Sequence, residues 1–184
     1  ENWSVSQADF HFAPDVFDLL SDFIKESDAR ESVNLKILDF SGIKDFFNSE
    51  DEFVLLKEAL FSKEIFVAED DRCEYGDFQT NTNLCNQVTG YLSQKKIMPD
   101  IVVEPTCGKG SFIIAAIEAF PHVEKIIGVE IFDQYVWEAK FRIIHFYIQN
   151  KRKTKPVVQI LCGDVFEFDF KRIAQQNSGK KILV

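Results

Sequence analysis

Apolar residues recur along the chain at two spacings, and the change from one to the other divides it in two. In residues 1–72, Pro14 suits the first turn of a helix, and Phe17, Leu20, Phe23 and Ile24 follow at helical spacing. A second helix is predicted from Glu52 to Phe66, where Val54, Leu55, Leu60 and Phe61 make an apolar stripe among charges. Between them "VNLKILDF" alternates loosely and reads as either strand or helix. This first segment is expected to be mainly helical, an appendage or partner-binding piece that says little about chemistry.

From residue 73 onward the pattern sharpens. "NTNLCNQVTGYLSQ" sets Leu84, Val88, Tyr91 and Leu92 on one helical face, with Thr80 or Asn81 placed to cap its start. The strand "DIVVE" follows, then a helix after Gly110, then the strand "KIIGVEI". "FDQYVWEAKFRIIHFYIQN" is long, apolar and free of Gly and Pro, hence a helix. "PVVQILCGD" is a further strand and "KKILV" begins another. Repeated β-α units of this kind predict an α/β fold, a parallel sheet with helices on both faces. In such sheets ligands lie at the carboxyl ends of the strands. No repeat or low-complexity run interrupts this order.

Composition narrows the functional classes. The 184 residues carry a net charge of −9, which disfavours a free-standing grip on nucleic acid because such grips neutralise phosphates with Lys and Arg. The basic run Lys151 to Lys155 ("KRKTK") is expected to be a solvated helix end. No apolar stretch approaches the ~20 residues of a membrane span. Cys73, Cys85, Cys107 and Cys162 form no CxxC and no pairing pattern, so reduced thiols and a cytoplasmic location are expected. His11, His122 and His145 lie far apart and share no metal-ligand spacing with the cysteines, so no metal is expected.

The chemistry concentrates in "IVVEPTCGKGSF", where a strand runs through a Gly-x-Gly turn into a helix. A P-loop needs GxxxxGK[ST], and here Lys109 is followed by Gly110. A dinucleotide turn wants a third glycine where Ile113 stands. Glu104, just ahead of the turn, would repel a pyrophosphate but suits an ammonium group. S-adenosylmethionine carries an ammonium, a carboxylate and a sulfonium. Gly108 and Gly110 let the backbone approach such a ligand, and the following helix start favours its carboxylate. Glu130, ending "IIGVE", is placed to accept both hydroxyl protons of a ribose. Asp164 in "LCGDVF" is placed to accept from an adenine amino group, with a backbone N–H from Val165, and Ile131 and Phe166 to line the ring faces.

Taken in order, "DFQT", "VVEPTCGKGSF", "GVEI" and "GDVF" resemble the N6-adenine DNA methyltransferases of restriction–modification systems, over residues 74–184. The resemblance implies that residues 73–184 are the N-terminal part of a catalytic domain with the Rossmann-like S-adenosylmethionine-dependent methyltransferase fold. It also implies that Thr80 contacts the methionine carboxylate and that Phe78 lies near the cofactor. Glu104, Thr106, Gly108 and Gly110 would surround the methionine end, Glu130 and Ile131 the ribose and adenine, and Asp164 and Val165 the adenine edge. The family's catalytic [ND]PP[YFW] normally follows the strand after "GDVF", which "KKILV" resembles. The motif occurs nowhere in the chain and is expected beyond Val184. No catalytic residue is therefore assigned, and the chain is expected to bind cofactor without transferring a methyl group. DNA is the partner implied for the complete enzyme, through a basic recognition domain. Methyltransferases acting on RNA or protein glutamine share the catalytic tetrad and are the alternative, as is a non-catalytic scaffold built on a decayed methyltransferase fold.

Overall fold

Three helices come first: α1 (Pro14–Glu26), α2 (Arg30–Ser41) and α3 (Glu50–Phe61). They are followed by α4 (Thr82–Gln94), β1 (Ile101–Glu104), α5 (Ser111–Ala119), β2 (Lys125–Glu130), α6 (Asp133–Gln149), β3 (Val157–Cys162), α7 (Phe170–Gln176) and β4 (Ile182–Leu183). These elements belong to a computed structural model that describes residues 13–61, 79–152 and 155–184.

The four strands form one parallel sheet in the order β3-β2-β1-β4. This is the opening of the Rossmann-like order 3-2-1-4-5-6. The connections through α5 and α6 step one way across the sheet, and the connection through α7 steps back past β1. Because such crossovers are right-handed, α5 and α6 share one face and α7 covers the other. The winding reverses between β1 and β4, so the crevice of this fold opens at the carboxyl end of β1. Sequence reading missed α7, a short helix whose start is capped by Asp169 Oδ1 accepting from Arg172 N at 2.9 Å.

The strand expected in "KKILV" is present but short. It pairs with β1 through Ile101 with Ile182 and Val102 with Leu183, and Val184 stands just past it, 73% exposed.

Alternation along the strands sorts their side chains. Val102, Ile126, Val158 and Ile160 enter the main core with Ile113, Ile117, Phe141 and Ile144 from α5 and α6. Ile101, Val103 and Ile127 enter a second core with Phe168, Phe170 and Ile173 around α7. A parallel sheet covered on both faces requires this doubly apolar pattern. Glu104 and Glu130 have the parity of Val102 and Ile126, so the two acids share the α5/α6 face.

The first three helices join the main core: Val16, Leu20, Ile24, Val33, Ile37, Phe53 and Leu56 are buried there beside Trp137 and Phe141 of α6. The boundary expected between residues 72 and 73 lies outside the described residues, and the chain on either side of it shares this core. "VNLKILDF" is helical, with Val33, Ile37 and Ser41 buried one turn apart and Gly42 ending the helix in the left-handed region at φ +78°. Beyond it Lys44 N donates to Val158 O at 2.8 Å and Val158 N to Gly42 O at 2.8 Å, so Ile43 covers the outer edge of β3. The helix expected over Glu52 to Phe66 begins at Glu50 and is described to Phe61.

The α4 face carrying Leu84, Val88, Tyr91 and Leu92 is split: the first three are exposed, Leu92 packs against the main core, and Cys85 and Thr89 are buried. Helix α4 packs on α5 through these small residues, which allow close approach. The basic run after α6 is not a solvated helix end. The helix stops at Gln149, Arg152 donates to Ile117 O at 2.6 Å, and Lys155 Nζ donates to Asp39 O at 2.7 Å. Residues 153 and 154 of the run lie outside the described residues.

Candidate functional site

The turn after β1 is held by its own backbone. Cys107 N donates to Val129 O at 2.9 Å, and Gly110 N closes the turn on Cys107 O at 2.8 Å. Gly110 then caps α5 from the left-handed region, φ +79°, with its carbonyl accepting from Ile114 N at 3.1 Å. A Cβ there would stand 3.2 Å from Ala139 Cβ in α6. Gly110→Ala therefore combines backbone strain with a crowded helix contact. It is expected to cost about 1–2 kcal/mol in denaturant unfolding, and a loss under about 0.3 kcal/mol would show that the turn relaxes freely. Helix α6 braces the turn as well: Arg142 donates to Lys109 O at 2.8 Å and to Ser111 Oγ at 3.2 Å, and Lys109 Nζ pairs with Glu138 at 3.3 Å.

Glu130 is 7% exposed, and backbone donors meet both of its oxygens. Oε2 accepts from Gly108 N at 2.8 Å and Oε1 from Phe132 N at 2.9 Å. A carboxylate has roughly four lone-pair sites, so each oxygen keeps capacity for a further donor. Its carbonyl accepts from Gly163 N at 2.9 Å, which ties the turn after β3 to the end of β2.

Glu104 ends β1, in register with Gly128 of β2. No described residue donates a hydrogen bond to its carboxyl group, and burial pushes its pKa up to about 7. A carboxylate this sheltered favours a cation that replaces its lost hydration. Its charge reaches its neighbours: burial first, and then Glu130 and Glu104, hold the Cys107 thiol protonated well above its ordinary range.

Asp164 does not end β3, which stops at Cys162, but stands two residues on in a turn. There Asp164 Oδ1 accepts from Phe166 N at 2.9 Å, an Asx turn that sets the path of Val165. Ile131 is 58% and Phe166 95% exposed, so both apolar side chains stand open to solvent at the strand ends. Thr106 and Thr80 are exposed. The cap of α4 falls to Asn81, whose side chain accepts from Asn83 N at 2.8 Å. Phe78 lies outside the described residues.

Two contacts at the turn escaped sequence reading. Gln79 Oε1 accepts from Lys109 N at 3.1 Å, and Arg142 holds the carbonyl of the same residue. Gln79 lies inside the "DFQT" segment, so its neighbourhood was signalled even though its own role was not. Arg142 carried no signal, because nothing local distinguishes it from an exposed charge on a long helix.

No family model matches the chain. Over 120 residues, 65% of its length, it is 41% identical to the type II methyltransferase M.NspV of a Nostoc species, and the match spans 23% of that protein. Among solved structures it is similar to a proposed RNA methyltransferase from Pyrococcus horikoshii, with TM-score 0.38 and 19% identity over 50% of this chain and 42% of the other. A proposed class I S-adenosylmethionine-dependent methyltransferase from Listeria monocytogenes aligns with TM-score 0.36 and 13% identity over 86% and 56%. The fold assignment rests on strand order and register rather than on these two scores.

Proposed function

We propose that the carboxyl ends of β1, β2 and β3 bind S-adenosylmethionine, and that the chain serves a DNA methyltransferase acting on adenine N6 in a restriction–modification system. The observation carrying the cofactor reading is Glu104: a sheltered carboxyl group beside a glycine turn, with no described hydrogen-bond donor and a pKa raised to about 7. Such a group fits an ammonium, which a pyrophosphate ligand lacks. Glu130 adds acceptor capacity for a ribose diol, and Asp164 with Val165 the acceptor and donor for an adenine edge. Gly108, Gly110 and Thr106 would flank the methionine end, with Thr80 and Phe78 beside it as the resemblance implies, and Ile131 near the adenine.

When bound, the cofactor supplies a methyl group already activated by its sulfonium. The residues of this chain then bind and orient it, and orientation is where most acceleration of a direct transfer arises. The acceptor is proposed from the motif order and from the type II methyltransferase it resembles. The target adenine would be flipped out of the duplex, because its amino group is unreachable while stacked. The residues orienting that amino group are proposed to follow Val184 in the complete protein. Leu183 is level with Val102 of β1, so a strand continuing past Val184 in this register would come level with Glu104 at the mouth of the crevice.

The pKa of Glu104 gives a direct test. The folded value, about 7, exceeds the ordinary 4.5, so the protonated form stabilises the free protein at low pH, and that stability is lost as pH rises through about 7. An ammonium partner favours the carboxylate, so ligand binding expels the proton. Affinity for S-adenosylmethionine is therefore expected to rise between about pH 5.5 and 7.5, approaching tenfold per unit at the acid end. Calorimetry in buffers of different ionisation enthalpy should register proton release near pH 7, and Glu104→Gln should abolish it. Tight binding with no proton release in either protein would remove Glu104 from the site.

A further inference from the structure

The backbone donors of the glycine turn are not equivalent. Cys107 N is spent on Val129 O, Gly110 N on Cys107 O, and Gly108 N on Glu130. Lys109 N differs, since its acceptor is the side chain of Gln79, on an exposed contact from a residue thirty positions earlier. Gln79 lies so close that a Cβ on Gly108 would come within 2.7 Å of its Oε1. The glycine thus admits the amide as well as the left-handed φ of +49°.

We propose that Gln79, next to Thr80, is a further residue by which this site selects ligands bearing a carboxylate, an inference that rests on the S-adenosylmethionine reading above. A ligand carboxylate has to be recognised within reach of Glu104 and Glu130, whose charges repel it. The nearby cations are committed elsewhere, Lys109 Nζ to Glu138 and Arg142 to Lys109 O and Ser111. Recognition falls to neutral donors. The Gln79 carbonyl occupies Lys109 N–H as an anionic oxygen would, so a carboxylate takes over that N–H when it arrives. A glutamine amide carries both an acceptor and two donors. Turned over, the same side chain offers its Nε2–H to the incoming carboxylate. Gln79 is thereby a placeholder for the anion and then its partner, which glutamate cannot be.

The test compares S-adenosylmethionine with its decarboxylated analogue, which keeps the ammonium, sulfonium and nucleoside. Calorimetry on Gln79→Glu is expected to show at least a tenfold loss of affinity for S-adenosylmethionine, with the analogue changed less than about threefold. Gln79→Ala, which removes placeholder and partner together, should fall between wild type and Gln79→Glu. Thermal unfolding of each variant, recorded beside the titrations, separates a loss of folding from a loss of binding. Equal losses for the two ligands, or unaltered S-adenosylmethionine affinity in Gln79→Glu, overturn the proposal. Wild-type protein binding neither ligand removes the cofactor reading itself, whereas wild-type binding of both with no selective effect removes only the role of Gln79.

Discussion

Glu130→Gln is expected to weaken S-adenosylmethionine binding by about a hundredfold, equivalent to about 2.7 kcal/mol. The substitution keeps size and shape but replaces one acceptor oxygen with an NH2 donor. Both oxygens of Glu130 face backbone N–H groups, from Gly108 and from Phe132, so either amide orientation sets donor against donor. At 7% exposure, water cannot relieve that conflict, and hydrogen bonds to a charged acceptor are worth about 1.5–3 kcal/mol each. If the amide nitrogen faces Gly108, the glycine turn shifts away from β2. If it faces Phe132, the start of α6 moves. Either way the acceptor proposed for the ribose diol is halved while its support is displaced. Titration calorimetry and thermal unfolding on the same sample separate the two effects. A Kd within about threefold of wild type in a folded Glu130→Gln protein would falsify the assignment of this residue to the ligand site.

Lys140→Met should produce the largest loss of stability, about 1–3 kcal/mol, a sizeable part of what holds a domain of this size together. Lys140 is 1% exposed in α6, and its Nζ donates to Phe46 O at 2.7 Å while lying 4.5 Å from the Trp137 ring centroid and 5.6 Å from that of Phe46. Burial lowers its pKa, and the charges of Glu52 and Asp133 work the other way. Methionine fills a similar volume but leaves the Phe46 carbonyl without this donor and the neighbouring acids without this cation. The acceptor left behind is a buried neutral carbonyl, and stranding such a group costs about 1–3 kcal/mol. Lys140 also joins α6 to the segment between α2 and α3, so the loss should appear as easier release of the first three helices. Because the folded pKa is lowered, wild type gains stability as pH rises toward the ordinary lysine value of 10.5, and Lys140→Met should lack that gain. Denaturant unfolding at neutral and alkaline pH measures both, and a change under about 0.5 kcal/mol would mean that the buried cation is dispensable.

Lys140 illustrates where local reading stops. It sits in "WEAKFRIIHFYIQ", where a lysine on a long helix is ordinarily exposed, and only the packing of Phe46 and Phe47 over α6 encloses it. "VNLKILDF" is a similar case: alternation left it ambiguous, and contact with the core made it a helix. On α4, helical period placed Leu84, Val88 and Tyr91 together but not which face meets α5, because period specifies spacing and not direction. Helix α7 went unseen since seven residues are too few for a period to register.

The strand, turn and helix around Gly108, the parallel order of units and the positions of Glu104 and Glu130 near strand ends were legible in the chain. Each depends on spacing, on a glycine's left-handed φ, or on alternation over a few residues, all of which are local. Which acid is satisfied and which is sheltered without a described donor, and the arrival of Gln79 and Arg142 on the turn, were settled only by tertiary packing. Hydrogen-bond partners and dielectric surroundings come from residues distant along the chain, which no local pattern encodes.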